Sequence, residues 1–301
     1  LAGFFSKQTV ASVTVLFHPD HKALETIRTY SSQVGKCFVV DNSPASLSEG
    51  ERSWFPDGKF EYHHLGRNRG VAAALNFGVR LAAEQGFSHV LTMDQDTRAS
   101  EGLVGLLQQI FTDPQPFNFP QPSRVAVACP ALAADTSQSR GKQSTHEAAF
   151  CITSGNLIDV SAWAHVAGFD EDLFIDHVDH DYCLRVRAAG YSIVQREDAI
   201  LDHHTGSLRE IRLFGLKRTI SMHSPDRLFY MTRNGLLLKA RYGKRFPEVL
   251  TLIRKRIFAQ VAKSLVFGPE RLRRMNFMLR GYADYKMCVA QSRDRGRDIS
   301  S

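Results

Sequence analysis

The chain has 301 residues, 43% hydrophobic and 23% charged, a globular composition that can bury one large core or two modest ones and excludes a mainly disordered protein. No run approaches the roughly 18 apolar residues of a membrane-spanning helix. The five cysteines, Cys37, Cys129, Cys151, Cys183 and Cys288, occur singly without any CxxC, which excludes a disulfide framework and a zinc ribbon. The net charge of +7 sits in the tail: from Arg241 onward 15 Lys/Arg against 5 Asp/Glu give +10, leaving −3 for residues 1–240. Residues 1–5 are apolar but lack a basic flank and a cleavage-type sequence, so a cytoplasmic place of work is expected.

Residues 10–17 (VASVTVLF) form a β-branched run that predicts a first strand, and residues 20–34 follow with Leu24, Ile27 and Tyr30 at helical spacing. A second strand over 37–40 ends in the turn signal Asp41-Asn42-Ser43-Pro44, and a third over 60–65 leads into Gly66-Arg67-Asn68-Arg69-Gly70. The Ala/Leu-rich stretch 71–85, stopped by Gly86, predicts a helix, and 89–93 a fourth strand that delivers Asp94. Next come a helix at 101–111, a Pro-rich loop over 112–123, a strand at 125–129 and a polar stretch over 134–145 that suits a mobile loop near a site. The segment 150–160, a helix at 179–189 closed by Gly190 and a strand at 191–194 complete the α/β part, with 199–201 strand-like beyond it. In the tail, 247–266 carries Val249, Ile253, Ile257, Val261 and Leu265 at four-residue spacing among Arg254, Lys255, Arg256 and Lys263, an amphipathic basic helix. Such a helix either packs on the core with a solvated basic face or touches an anionic membrane, to which Arg271, Arg273 and Arg274 would add attraction.

Strands alternating with helices predict an α/β domain over 1–240 with a mainly parallel sheet flanked by helices, followed by a basic helical extension over 241–301. Ligands of such sheets bind at the carboxyl ends of strands. Asp41, residues 67–70 and residues 94–96 all follow strand ends and can converge on one crevice.

Asp94 and Asp96 stand two apart, which projects both carboxylates to one side. Two hard oxygen donors suit Mg²⁺ or Mn²⁺, which share their shell with phosphate oxygens; a solvated acidic turn is the plainer alternative. Asp176-His177-Val178-Asp179-His180-Asp181 packs three carboxylates and two imidazoles at a helix start, where one carboxylate can be a tuned base or simply an N-cap. His203-His204 can complete a metal shell or form a polar turn. Asp41, Asn42, Arg67, Asn68 and Asn76 offer groups suited to a base edge and phosphates. No G-x-G-x-x-G follows the first strand and no G-x-x-x-x-G-K-[ST] occurs, which argues against dinucleotide enzymes and P-loop NTPases.

In their order, VVDNS (39–43), LGRNRGVAAALNFG (65–78), MDQDT (93–97), SGNLI (154–158), GFDEDLFIDHVDHDYCLRVRAAGY (168–191) and DHHTGS (202–207) resemble the family-2 inverting glycosyltransferases of the GT-A fold, across residues 10–206. FIDHVDHDYCLR and HSPDRLFYMTRN (223–234) are similar to the bacterial rhamnosyltransferases of that family; Val178 departs from the acidic residue usual in its place. The resemblance implies transfer of L-rhamnose from dTDP-L-rhamnose to a glycan or lipid-linked oligosaccharide in cell-surface polysaccharide biosynthesis, with no nucleic-acid partner. It also implies that Phe17, Asp41, Asn42, Arg67, Asn68, Asn76 and Asp94 bind the nucleotide sugar, and that Asp94, Asp96 and His203, or His204 in its stead, hold the metal. Asp179 becomes the base, tuned or positioned by Asp181 and Asp176. A metal-dependent phosphohydrolase of the all-helical HD type and a non-catalytic nucleotide-sugar-binding module are the alternatives.

Overall fold

The computed structural model describes residues 9–56, 58–112, 124–133, 144–203, 208–213, 216–221, 223–266 and 270–294. They fall into two compact units, 1–174 with 178–204, and 175–177 with 205–301. The apolar residues 1–5, most of the two loops expected at 112–123 and 134–145, and His204 lie outside the described residues.

The first unit runs β1 (Val10–Leu16), α1 (His21–Ser31), β2 (Lys36–Asp41), α2 (Glu49–Arg52), β3 (Phe60–His64), α3 (Val71–Glu84), β4 (His89–Asp94), β5 (Thr97–Ala99), α4 (Leu103–Thr112), β6 (Val125–Leu132), β7 (Thr145–Glu147), β8 (Asn156–Asp159), α5 (Val160–His165), α6 (Val178–Ala188) and β9 (Ser192–His203). Its described strands build a nine-stranded sheet in the order β3-β2-β1-β4-β8-β6-β9-β5, with β7 also on β9. β3, β2, β1 and β4 are parallel, as the strand–helix alternation predicts. β1 can be central because nearly all its side chains are buried, and its inward Thr14 hydroxyl meets the Tyr30 hydroxyl at 2.7 Å.

Past β4 the sheet is mixed. β8 lies antiparallel to both β4 and β6, and β9 runs parallel to β6 but antiparallel to β5 and β7. The short strand expected at 191–194 and the strand-like 199–201 are one 12-residue strand. A register shift between Pro130 and Ala131 breaks its pairing with β6, so Arg196 and Ile200 pair with consecutive residues of β6. Beyond that bulge β9 reaches β5, with His203 opposite Thr97. This sheet removes the all-helical hydrolase alternative.

The second unit contains the antiparallel pair β10 (Leu208–Leu213) and β11 (Leu216–Ser221), then α7 (Pro225–Tyr242), α8 (Pro247–Val266) and α9 (Arg271–Asp294). Ser224 caps α7 by accepting from Arg227 N, with Pro225 in the first turn where its missing N–H costs nothing. The expected helix over 247–266 is present with the same bounds, and Val249 and Ile253 of its four-residue series are buried.

Candidate functional site

β1, β2 and β4 end side by side, and their carboxyl ends bring Phe17, Asp41 and Asp94-Gln95-Asp96 to one edge of the sheet. Phe17 is 43% exposed, an unusual state for a Phe. Its backbone is held at both polar atoms by the Gln95 amide: Phe17 N donates to Oε1 at 2.7 Å, and Nε2 donates to Phe17 O at 3.2 Å. His18, at φ +46°, donates its N–H to Ser43 Oγ at 2.8 Å. The ring therefore stands on a backbone fixed from two neighbouring strand ends.

Asp41 is fully buried. Tyr62 OH donates to its Oδ2 at 2.6 Å and Ser43 N to its Oδ1 at 3.0 Å. Burial, and then the bond to Asp41, push the Tyr62 phenol above its ordinary pKa, so it stays a donor. Tyr62 has no signal in the sequence beyond being an aromatic in a strand.

Arg67 lies exposed in the loop after β3, with no ion-pair partner among the described residues. The two asparagines near it serve the loop itself. Asn42 donates to Asn68 Oδ1 at 3.0 Å and to Gly70 O at 3.2 Å and accepts from Arg69 N at 2.8 Å, while Asn68 Oδ1 also accepts from Gly70 N at 2.9 Å. Asn76, expected to meet the nucleotide, turns inward instead. Its Nδ2 donates to Phe169 O and Glu171 Oε1, and its Oδ1 accepts from Trp163 Nε1 and Phe169 N, all within 3.2 Å. A buried amide with four partners is a brace between α3 and residues 163–171, not a ligand group.

Asp94 is half-buried, its N–H bonded to Ser154 Oγ at 2.9 Å, and Asp96 is exposed. The pairing of Thr97 with His203 sets the His203 backbone across from the residue that follows Asp96. Two carboxylates of hard oxygen character beside a histidine position fit a divalent ion in donor type. Among the described residues no cluster of three His, Cys, Asp or Glu forms a complete cation site.

Asp179 lies in the first turn of α6, with its side chain 21% exposed. Its Oδ1 accepts from both His180 N at 2.8 Å and His180 Nδ1 at 2.5 Å. His180 is buried, its ring 5.2 Å from that of Phe150. Asp179 also borders a small cavity with Thr92, Asn156, Tyr182, Cys151 and Cys183. The two sulfurs stand 3.7 Å apart. Thiol–thiol hydrogen bonds, with Cys129 for Cys151 and with Cys151 for Cys183, together with burial hold both well above the ordinary thiol pKa, so they are inert lining.

Asp181 is not at the reacting surface: it is fully buried, and Arg185 Nε donates to its Oδ2 at 2.7 Å. Arg185 Nη1 in turn donates to Gly168 O at 2.6 Å and to Val166 O, so the pair ties α6 to the loop before it. Asp181→Asn should therefore lower unfolding stability by about 3 kcal/mol in chemical denaturation, because it strips the charge partner from a mostly buried guanidinium. Wild-type stability in that variant would deny Asp181 its bracing role. Asp176 belongs to the second unit, where Arg227 grips it through Nη2 at 2.6 Å and Nε at 3.2 Å. Asn234 Nδ2 donates to Ile175 O and Asp176 O, holding a turn in which Asp176 and His177 both have positive φ.

Residues 22–151 match the profile of glycosyl transferase family 2. The chain is similar to dTDP-rhamnosyl transferase RfbF of Shigella flexneri, 26% identical over 274 residues that cover 87% of this chain and 89% of that protein. An uncharacterised protein of Mycobacterium tuberculosis is 27% identical over 213 residues, covering 60% of this chain and 76% of its own. Among solved structures, GalNAc-T7 with UDP, GalNAc and Mn²⁺ superposes with a TM-score of 0.54 at 10% identity, over 95% of this chain and 57% of that one. TarS of S. aureus gives 0.55 at 12% identity, over 94% and 49%. The chain thus spans about half the length of either structure, and at these identities the likeness is one of fold.

Proposed function

We propose that this chain, which carries a family 2 glycosyltransferase match, a GT-A fold and a likeness to a bacterial dTDP-rhamnosyl transferase, moves L-rhamnose from dTDP-L-rhamnose, with inversion, onto a hydroxyl of a glycan or lipid-linked oligosaccharide used in cell-surface polysaccharide. The observation that carries the reading is the meeting of Phe17, Asp41 and the Asp94/Asp96 pair at adjoining strand ends, with His203 brought opposite Thr97. The similarity to a dTDP-rhamnosyl transferase along nearly the full length of both chains supports the donor.

In this reading the Phe17 ring stacks on the nucleobase, while Asp41, buried and bonded to Tyr62 and Ser43, holds the neighbouring strand end in shape beside it. Arg67 takes a phosphate oxygen, with the Asn42–Asn68 pair holding its loop in shape. Asp94, Asp96 and His203 are the residues that would hold Mg²⁺ or Mn²⁺, which supplies neutralising charge to the leaving diphosphate. Asp179 accepts the proton of the acceptor hydroxyl as that oxygen attacks the anomeric carbon from the side opposite the diphosphate, and inversion follows. His180 fixes which way the Asp179 carboxylate faces. The enzyme works at the cytoplasmic side of the inner membrane, reaching its acceptor through peripheral contact with anionic lipid.

A thermal-shift panel of sugar nucleotides with Mg²⁺ or Mn²⁺ tests the donor. At about 100 times its dissociation constant the true donor adds about 2.7 kcal/mol of stability, and dTDP-L-rhamnose is expected to lead the panel. A UDP- or GDP-sugar that stabilises while dTDP-L-rhamnose does not would overturn the assignment.

A further inference from the structure

Of the large apolar side chains exposed among the described residues, Leu272, Leu279, Tyr282 and Met287 lie on α9. The inner face packs on α7: Met278 joins Leu228 and Met231, and at Gly281 an added methyl would come within 2.5 Å of Phe229 O. Arg274 anchors the same side, donating from Nη1 to His223 O at 2.8 Å. A helix held along that line turns the positions seven and four apart on its far side to solvent. Those positions are Leu272, Asn276, Leu279, Ala283 and Ala290, with Met287 at the margin; Leu272 is 88% and Leu279 63% exposed. Arg271, Arg280 and Lys286 flank the strip, as does Arg273, which is paired with Glu270.

A leucine strip left in water and bordered by cations marks a contact surface. In α8, by contrast, Val249 and Ile253 of the regular apolar series are spent inside the unit, and among its described residues Phe258, at 75%, is the large apolar side chain left exposed. We infer that α9 lies in the interface of an anionic membrane, with Leu272, Leu279 and Met287 among the acyl chains and the flanking Arg and Lys side chains reaching lipid phosphates. A second copy of this chain is a poorer occupant. The acids near the strip are engaged, Glu270 with Arg273 at 3.2 Å and Asp284 with Arg233 at 3.5 Å, so two copies would set cation against cation. The inference rests on the membrane contact proposed above and names the element that makes it, without depending on the donor or the base.

The test is flotation of the full chain with vesicles of phosphatidylcholine, with and without phosphatidylglycerol, at low salt, for the wild type and Leu272→Ser/Leu279→Ser. The wild type is expected to float with the phosphatidylglycerol vesicles alone, and the double variant to partition about tenfold more weakly or worse. Because both side chains are exposed, the variant keeps the wild-type melting temperature and dTDP affinity. Equal flotation of variant and wild type overturns the inference, as does wild-type indifference to phosphatidylglycerol. So does a dimer in sedimentation velocity that the double substitution dissolves. A wild type that floats but binds no dTDP sinks the donor reading and leaves this one standing.

Discussion

Asp179→Asn is expected to lower kcat by about 10²- to 10⁴-fold, the usual share of a general base, while dTDP affinity and melting temperature stay at wild type. The substitution keeps the shape and removes the proton acceptor. The local geometry should survive it, because an amide oxygen can still accept from His180 N and Nδ1, as Asp179 Oδ1 does. His180→Ala should fall between the two, since it leaves the carboxylate in place but removes one of the two bonds that orient it. The split between kcat and KM is the discriminating readout. A base acts in the transition state alone, so kcat and kcat/KM fall together. Asp179→Asn turning over at the wild-type rate would remove the base assignment, and a wild type that binds donor but transfers nothing to any acceptor would favour a non-catalytic binding module.

Asp96→Ala is expected to abolish the metal dependence of nucleotide binding. Asp96 is the exposed carboxylate of the pair and the one beside the β5–β9 pairing that carries His203. Asp94 alone, half-buried and on a strand whose N–H is fixed by Ser154, offers a divalent ion too few protein oxygens to compete with its own hydration. Isothermal titration with dTDP, with and without Mg²⁺, should give a large difference in the wild type and none in the variant. Equal wild-type affinity under both conditions would end the metal assignment. The residual affinity of the variant without metal should match that of the metal-free wild type, because Phe17, Asp41 and Arg67 are untouched.

The parallel half of the sheet was legible in the sequence because β1, β2 and β4 are apolar runs and α1 and α3 carry their own periodicity, with β3, FEYHH, marked by the turn and helix that follow it. β7 and β8 were not: three or four residues carry no period, and their strand state is imposed by neighbours that pair with them. The carboxylates at strand ends were legible for the same reason as the strands, since position along the chain fixes them. Asn42, Asn68 and Asn76 were a different matter. An amide that braces a loop and an amide that binds a ligand look alike until the partner is known. The same holds for Asp181 and Asp176, whose arginines lie 4 and 51 residues away. In the tail, the apolar spacing along α8 marks burial at Val249 and Ile253 and partial burial at Ile257 and Val261, whereas the exposed strip of α9 is interrupted by Asn276 and shows only once α7 defines its inside.

The bulge in β9 has a consequence for changes in chain length. Because side chains alternate across a strand, loss of one residue between Arg196 and Ile200 could be absorbed by flattening the bulge, with β5 still facing His203. The same loss after Ile200 has no slack to draw on: it would move His203 off its place opposite Thr97 by one position of the pairing. Homologous chains should therefore vary in length on the near side of that point and hold it constant on the far side.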